Sequence, residues 1–196
     1  MSIKIGVSPI SWTNDDMPEL GGDTTMEHCL QEGRLAGYSG FELGGKWPRE
    51  TSVLEPLFNK YDMELVSGWF NGNLLMGSLE DEIKKITPHM QLLKELGSEV
   101  IVYCEMHACV HGEKTVPLSR RPVIAEDQWQ EWTIKLNQLA KYTLSHGMQL
   151  AYHHHMGTIV QIEEEVDKPT AMTSNDLGLV LDTGHLIYAG PDPPTV

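Results

Sequence analysis

Leu-Ala-Tyr-His-His-His-Met-Gly-Thr, residues 150 to 158, runs from a short apolar strand into three consecutive histidines and a turn. Buried imidazoles need partners, so packing alone is a poor reason for three of them in a row. Alternate strand residues face opposite sides, which puts His153 and His155 on the face of Gln149 and Ala151. Leu150, Tyr152 and His154 share the other face. The bulkier apolar set should meet helices. His153 and His155 then point to the open end of the sheet, where imidazoles bind divalent metals or act as general bases. His154 is expected to have no special role. One unit further on, Leu-Val-Leu-Asp-Thr-Gly-His (179 to 185) delivers Asp182 from another apolar strand, with His185 three residues later. A buried carboxylate is costly unless a cation or strong donors take its charge. Asp182 therefore reads as a metal ligand or as the cap of the next helix, and His185 as its partner or as a second ligand.

Outward from these two segments, strand-like and helix-like stretches alternate. Strands are expected at residues 3–10, 40–43, 64–70, 99–104, 148–155 and 177–182. Met26, Cys29, Leu30 and Gly33 mark a helix over 24–36, with Thr24 and Glu27 in a capping-box pattern and Gly37 as its stop. Val53, Leu57 and Tyr61 define one face of a helix over 52–61. Ile83, Ile86, Met90 and Leu93 define a third, ending near Gly97, which Pro88 is expected to kink or split. Trp129, Trp132, Leu136 and Leu139 trace a fourth that stops at Gly147, and residues 158–173 a fifth interrupted near Pro169.

Repeated β-α units build a parallel sheet, either open and doubly wound or closed into a barrel. No Gly-x-Gly-x-x-Gly or phosphate-binding loop follows any strand, so the usual open-sheet signature is missing. Instead, polar residues close strand after strand: Ser8 and Ser11, Glu42, Asn71, Glu105, His153 to His155, and Asp182 with His185. A barrel gathers its site from every strand end, whereas an open sheet concentrates it at one switch point. The expected fold is an α/β, (β/α)8 TIM-barrel domain over residues 1–196. Such a barrel takes eight units and about 250 residues. Six units can be read here, so two C-terminal units are expected to be missing.

The chain sets 14 Lys and Arg against 28 Asp and Glu, a formal net charge of −14. Nucleic acid and anionic membranes both need a basic footprint, so neither is an expected partner. No apolar run approaches the ~20 residues of a membrane span. Cys29, Cys104 and Cys109 are sparse and odd in number, which suits reduced thiols in the cytoplasm. Cys104, His107, Cys109 and His111 lack the spacing of zinc pairs. Glu42 and Glu105 each read equally as a loop anchor or a catalytic group. Trp12, Trp47 and Trp69 fall near strand ends, where aromatic rings pack or stack on sugars.

Ser-Trp-Thr-Asn-Asp-Asp-Met-Pro-Glu-Leu-Gly-Gly-Asp (11–23), Glu-Leu-Gly-Gly-Lys-Trp-Pro (42–48), Tyr-His-His-His-Met-Gly-Thr (152–158) and Leu-Asp-Thr-Gly-His (181–185) together resemble the inosose dehydratases. These enzymes belong to the xylose-isomerase-like barrel superfamily. The resemblance implies loss of water from 2-keto-myo-inositol in myo-inositol catabolism, with Mn²⁺ or Co²⁺ as the metal and reduced glutathione as an associated cofactor. It also implies that Asp182 is a metal ligand, that His153 stands where the superfamily carries a fifth-strand glutamate ligand, and that His155 matches a base. His155 would then take the proton beside the ketone, and Glu105 or His185 would protonate the departing hydroxide. Trp12, Asn14, Glu42, Lys46 and Trp69 are the candidate substrate-binding residues. The expected partners are a small cyclitol or sugar and further copies of the same chain as a homo-oligomer. The runner-up is a ketose isomerase or epimerase on the same barrel, which would rely on the glutamate that is histidine here. An inactive fragment is a further reading. A DNA-repair endonuclease is disfavoured by the charge.

Overall fold

Three helices hand the chain back to the sheet through a left-handed glycine. The structure is a computed structural model that describes residues 4–190. In it Gly37, Gly97 and Gly147 follow α1 (Met26–Leu35), α3 (Leu79–Glu95) and α4 (Trp129–Ser145) with φ of 92°, 84° and 82°. A Cβ would strain that conformation and glycine does not, so the expected stops hold. The strands are β1 (Gly6–Val7), β2 (Gly40–Leu43), β3 (Glu64–Gly72), β4 (Val100–Glu105), β5 (Gln149–His153) and β6 (Leu177–Val180). The other helices are α2 (Thr51–Lys60), α5 (Glu163–Met172) and α6 (Thr183–Ala189). The six strands stand in chain order in one sheet, and β1–β2, β2–β3 and β5–β6 pair in parallel. Barrel units give that sequential order, whereas a doubly wound sheet reverses at its switch point. Among the described residues no helix is long and apolar enough to cross a membrane.

The chain falls into two compact units. The first joins the residues up to Trp69 with Pro88–Ile101, and the second joins Phe70–Thr87 with the residues from Val102 onward. In the first unit α1 buries Met26, Cys29, Leu30 and Gly33, as its spacing predicts. Gly33 is bare because Phe41 lies over it, and a Cβ there would meet the ring at 2.4 Å. Phe41 in turn contacts Trp12 and Trp47, with centroids 5.4 and 5.6 Å away. Three local expectations are corrected. The cap of α1 is Thr25, whose hydroxyl accepts the His28 N–H, and not Thr24. The buried row of α2 is Leu54 and Phe58, while Val53 is exposed. Two adjacent apolar rows compete on that helix, and the row with the larger aromatic surface takes the core. β1 spans only two residues, because Pro9 cannot donate to a ladder and Ser8 instead caps a 3-10 turn over Pro9–Ser11.

In the second unit α4 buries Trp129, Trp132, Leu136 and Leu139. Trp132 lies 5.6 Å from both Trp129 and Tyr152. α3, whose residues from Pro88 onward belong to the first unit, is continuous through Pro88, so the proline does not split it. Burial of Ile86, Met90 and Leu93 offsets the ~3 kcal/mol an interior proline costs. β5 stops at His153 rather than His155, and α5 begins at Glu163 rather than Thr158. The residues between form a turn in which the His155 N–H donates to the Val160 carbonyl at 3.1 Å.

A buried ion pair closes this turn. Arg121 Nη2 lies 2.7 Å from Glu165 Oε1, and its Nη1 donates to the Thr158 carbonyl at 3.1 Å. Glu165 Oε2 accepts the N–H groups of Gln161 and Ile162. The two side chains are only 11% and 10% exposed, so removing one strands the other in a poor solvent. Arg121→Ala should cost about 3–5 kcal/mol, read from urea unfolding. The double variant Arg121→Met/Glu165→Leu should recover most of it. Equal loss in the double variant would place the effect elsewhere.

Candidate active site

The site grows from the ends of β5 and β6. His153 closes β5 with its ring buried, and its Nε2 lies 3.4 Å from Asp182 Oδ2. Asp182 begins α6, and its Oδ1 accepts the His185 N–H at 2.8 Å. The carboxylate thus acts as the helix cap with one oxygen and keeps the other turned to His153 and, at 3.9 Å, His185 Nε2. The hydrogen bond from His153 comes first in holding this carboxyl well below the usual range. The His185 N–H and the charges of both rings add to it, against an opposing effect of burial.

His153, Asp182 and His185 offer ligand atoms within 4.8 Å of one another, the one such group among the described residues. Two imidazoles and a carboxylate suit a divalent transition metal. Ligands about 2.1 Å from a tetrahedral ion stand roughly 3.4 Å apart. The His153–Asp182 separation of 3.4 Å matches that spacing and the His185–Asp182 separation of 3.9 Å is half an ångström longer, so the donor set suits a divalent ion with a small inward shift of His185. His185, expected as a catalytic acid or a second ligand, stands where it could serve as a ligand.

His155 stands beside this trio, its ring centroid 3.9 Å from His185 and 5.6 Å from His153. Strand alternation does not put it there, because β5 has already ended; the turn does. His155 Nδ1 lies 2.8 Å from the Met156 carbonyl. A carbonyl only accepts, so Nδ1 carries the proton and Nε2 keeps its lone pair. Burial, with His185, His111 and His153 nearby, lowers the ring's pKa to about 4. The fourth ring, His111, is 4.5 Å from His155. By spacing alone His111 is a candidate only for zinc. Its approach depends on a loop fold that no spacing rule announces.

His154 faces away into the core and is fully buried, and neither ring nitrogen has a hydrogen-bond partner among the described residues. Burial above all, then His153 and His185, lowers its pKa to about 4. A lowered histidine pKa means the unfolded chain binds the proton first. The stability is fully present above about pH 6.5 and is lost as pH falls toward 4. His154→Phe should remove two stranded polar atoms, raise stability by about 1 kcal/mol or more, and flatten that acid loss. Thermal melting between pH 7 and 4 checks this, and a steeper acid loss in the variant would contradict it.

Glu105 lies deep in the second unit. Its oxygens accept the N–H groups of Leu75 and His107 and the Trp132 indole N–H, at 3.1, 3.2 and 3.1 Å. Burial raises its pKa against the lowering effect of those three donors. This is the loop-anchor arrangement. The five candidate substrate contacts all belong to the first unit. The Trp12 indole donates to Glu32, Asn14 Oδ1 accepts the N–H groups of Asp16 and Met17, and Lys46 Nζ donates to the Pro18 carbonyl. Glu42 accepts from Ser67 at 3.4 Å, and Trp69 is half-buried.

A parallel sheet in chain order, with histidine and carboxylate side chains gathered at its strand ends, defines a β/α barrel with a candidate metal site. The sequence family described as xylose isomerase-like TIM barrel matches residues 30–195, and the chain belongs to that family. Among its relatives, the rhizopine catabolism protein MocC of Rhizobium meliloti is 46% identical over 98% of this chain and 59% of its own length. An inosose dehydratase of Clostridium tetani is 42% identical over 99% of this chain and 66% of its own length. The chain thus spans 59–66% of these relatives. Among solved structures, the probable 3-DHS dehydratase AsbF of Bacillus anthracis superposes with a TM-score of 0.70. It covers 97% of this chain and 67% of its own at 16% identity, a likeness of fold alone.

Proposed function

We propose that this chain carries the metal-holding and proton-abstracting part of a dehydratase that removes water from 2-keto-myo-inositol. The observation that carries the reading is the His155 imidazole, with Nδ1 committed to Met156 and its ring beside His153, Asp182 and His185. The substrate comes from the similarity to inosose dehydratases.

A hydrogen next to a ketone is weakly acidic, and the charge that develops on the ketone oxygen must be stabilised. His153, Asp182 and His185 would hold Mn²⁺ or Co²⁺, which when bound supplies Lewis-acid polarisation. His155 Nε2 takes the proton from the carbon. The low pKa keeps that nitrogen unprotonated through the neutral range, at some loss of basicity. As the C–H electron pair forms the double bond, the neighbouring hydroxyl leaves. The proton that His155 has just taken is the one at hand to complete the departing water. Glu105 has no such part in this reading, because its oxygens hold the end of β4. The elimination balances without reduced glutathione. Trp12, Asn14, Glu42, Lys46 and Trp69 are proposed as contacts for the ring hydroxyls.

The test is to incubate the chain, and a version carrying the relatives' additional length, with 2-keto-myo-inositol and Mn²⁺ or Co²⁺. Proton NMR would follow the loss of substrate and the appearance of the dione. Dehydration supports the reading. Metal-dependent interconversion of ketoses without loss of water would overturn it in favour of an isomerase or epimerase.

A further inference from the structure

The loop after β4 reaches back to the turn that presents His155. The Val110 N–H donates to the Gly157 carbonyl at 3.0 Å. Two backbone features permit this approach. Ala108 holds φ 52°, a left-handed conformation that costs a residue with a Cβ roughly 1–2 kcal/mol. Gly157 lies at φ 80°, and a Cβ on it would stand 2.9 Å from the His111 backbone nitrogen and 3.0 Å from the His111 Cβ. Non-glycine strain persists only where surrounding structure enforces it, and it gathers at functional sites. Here the strain at Ala108 and the bare backbone at Gly157 share one result. The His111 ring comes to 4.5 Å from that of His155 at a tilt of 52°.

His155 is thereby packed against two rings, His185 at 3.9 Å and His111 at 4.5 Å. Its bond to the Met156 carbonyl depends on ring orientation. Turning the imidazole about its Cβ–Cγ bond would carry Nδ1 away from that carbonyl and free the proton to move to Nε2. Nε2 is the atom that must stay unprotonated to act as a base. We infer that His111 is a positioning residue for His155, packing against its imidazole and holding the orientation in which Nδ1 reaches the Met156 carbonyl. The inference rests on the reading of His155 as the base.

Three variants of the chain test this: His111→Ala, which removes the ring; His111→Phe, which keeps a ring; and Gly157→Ala, which pushes the loop away with every histidine retained. The first readout is the His155 tautomer in the metal-free protein, from long-range ¹H–¹⁵N correlations of its ring at pH 7. Wild type and His111→Phe should show the single Nδ1–H form, and His111→Ala and Gly157→Ala a mixture. The second readout is 2-keto-myo-inositol dehydration. In His111→Ala and Gly157→Ala kcat should fall about 10- to 100-fold with KM nearly unchanged, as expected for a base displaced by about 1 Å. His111→Phe should restore most of it. A single Nδ1–H tautomer with full kcat in His111→Ala would overturn the inference, as would His111→Phe behaving like His111→Ala. If the tautomer shifts as expected while neither wild type nor the version carrying the relatives' additional length dehydrates 2-keto-myo-inositol, the positioning role stands and the dehydratase reading falls.

Discussion

His155→Ala is expected to reduce dehydration by about 10²- to 10⁴-fold while leaving metal content intact. His155 lies beside the ligand trio but is not part of it, so its loss should remove the base without emptying the site. The comparison is kcat against bound Mn²⁺ or Co²⁺ per chain, measured on one preparation. Undiminished turnover would show that another group takes the proton. Loss of metal alongside loss of activity would instead make His155 a ligand, and the trio would have to be redrawn.

The second large effect is expected at Asp182, where one carboxylate serves two ends. Its Oδ1 caps α6 and its Oδ2 faces the histidines. Asp182→Asn keeps the capping oxygen, because asparagine caps as well as aspartate, but removes the charge. Even partners one shell beyond the ligands cost 10- to 100-fold in metal affinity, so this variant should lose more than about 100-fold at little cost in stability. Asp182→Ala should show the same loss of affinity and a further ~0.5–2 kcal/mol of destabilisation from the missing cap. Calorimetric titration with Co²⁺ and thermal melting separate the two effects. If Asp182→Asn binds metal normally, the carboxylate is only a cap and the trio is not a metal site.

Much of this arrangement could be read from residue order. The apolar rows of α1 and α4 and the glycine stops lie where a period of 3.6 puts them, because each depends on neighbours within a turn or two. Asp182 and His185 were legible for the same reason, being separated by one helical turn across a cap. What residue order leaves open has a different cause. Val53 and Leu54 begin two apolar rows of similar pattern on α2, and only the packing partner chooses between them. Glu105 reads as either an acid or an anchor until the donors of Leu75, His107 and Trp132 are seen converging on it.

His155 shows the boundary most clearly. Strand alternation assigns it to the face of His153, and it does arrive near His153, but through a turn that begins where the strand has already ended. The residue types, the β-α order and the pairing of a histidine run with a lone aspartate one unit later are matters of local chain chemistry, and the sequence by itself determined them. The tertiary structure alone decided which nitrogen of His155 is basic, which oxygen of Asp182 is left for the histidines, and that His111 belongs beside them. Each of those depends on a hydrogen bond or ring contact whose geometry is set by backbone folding, and for His111 by a partner 44 residues away along the chain (155 − 111).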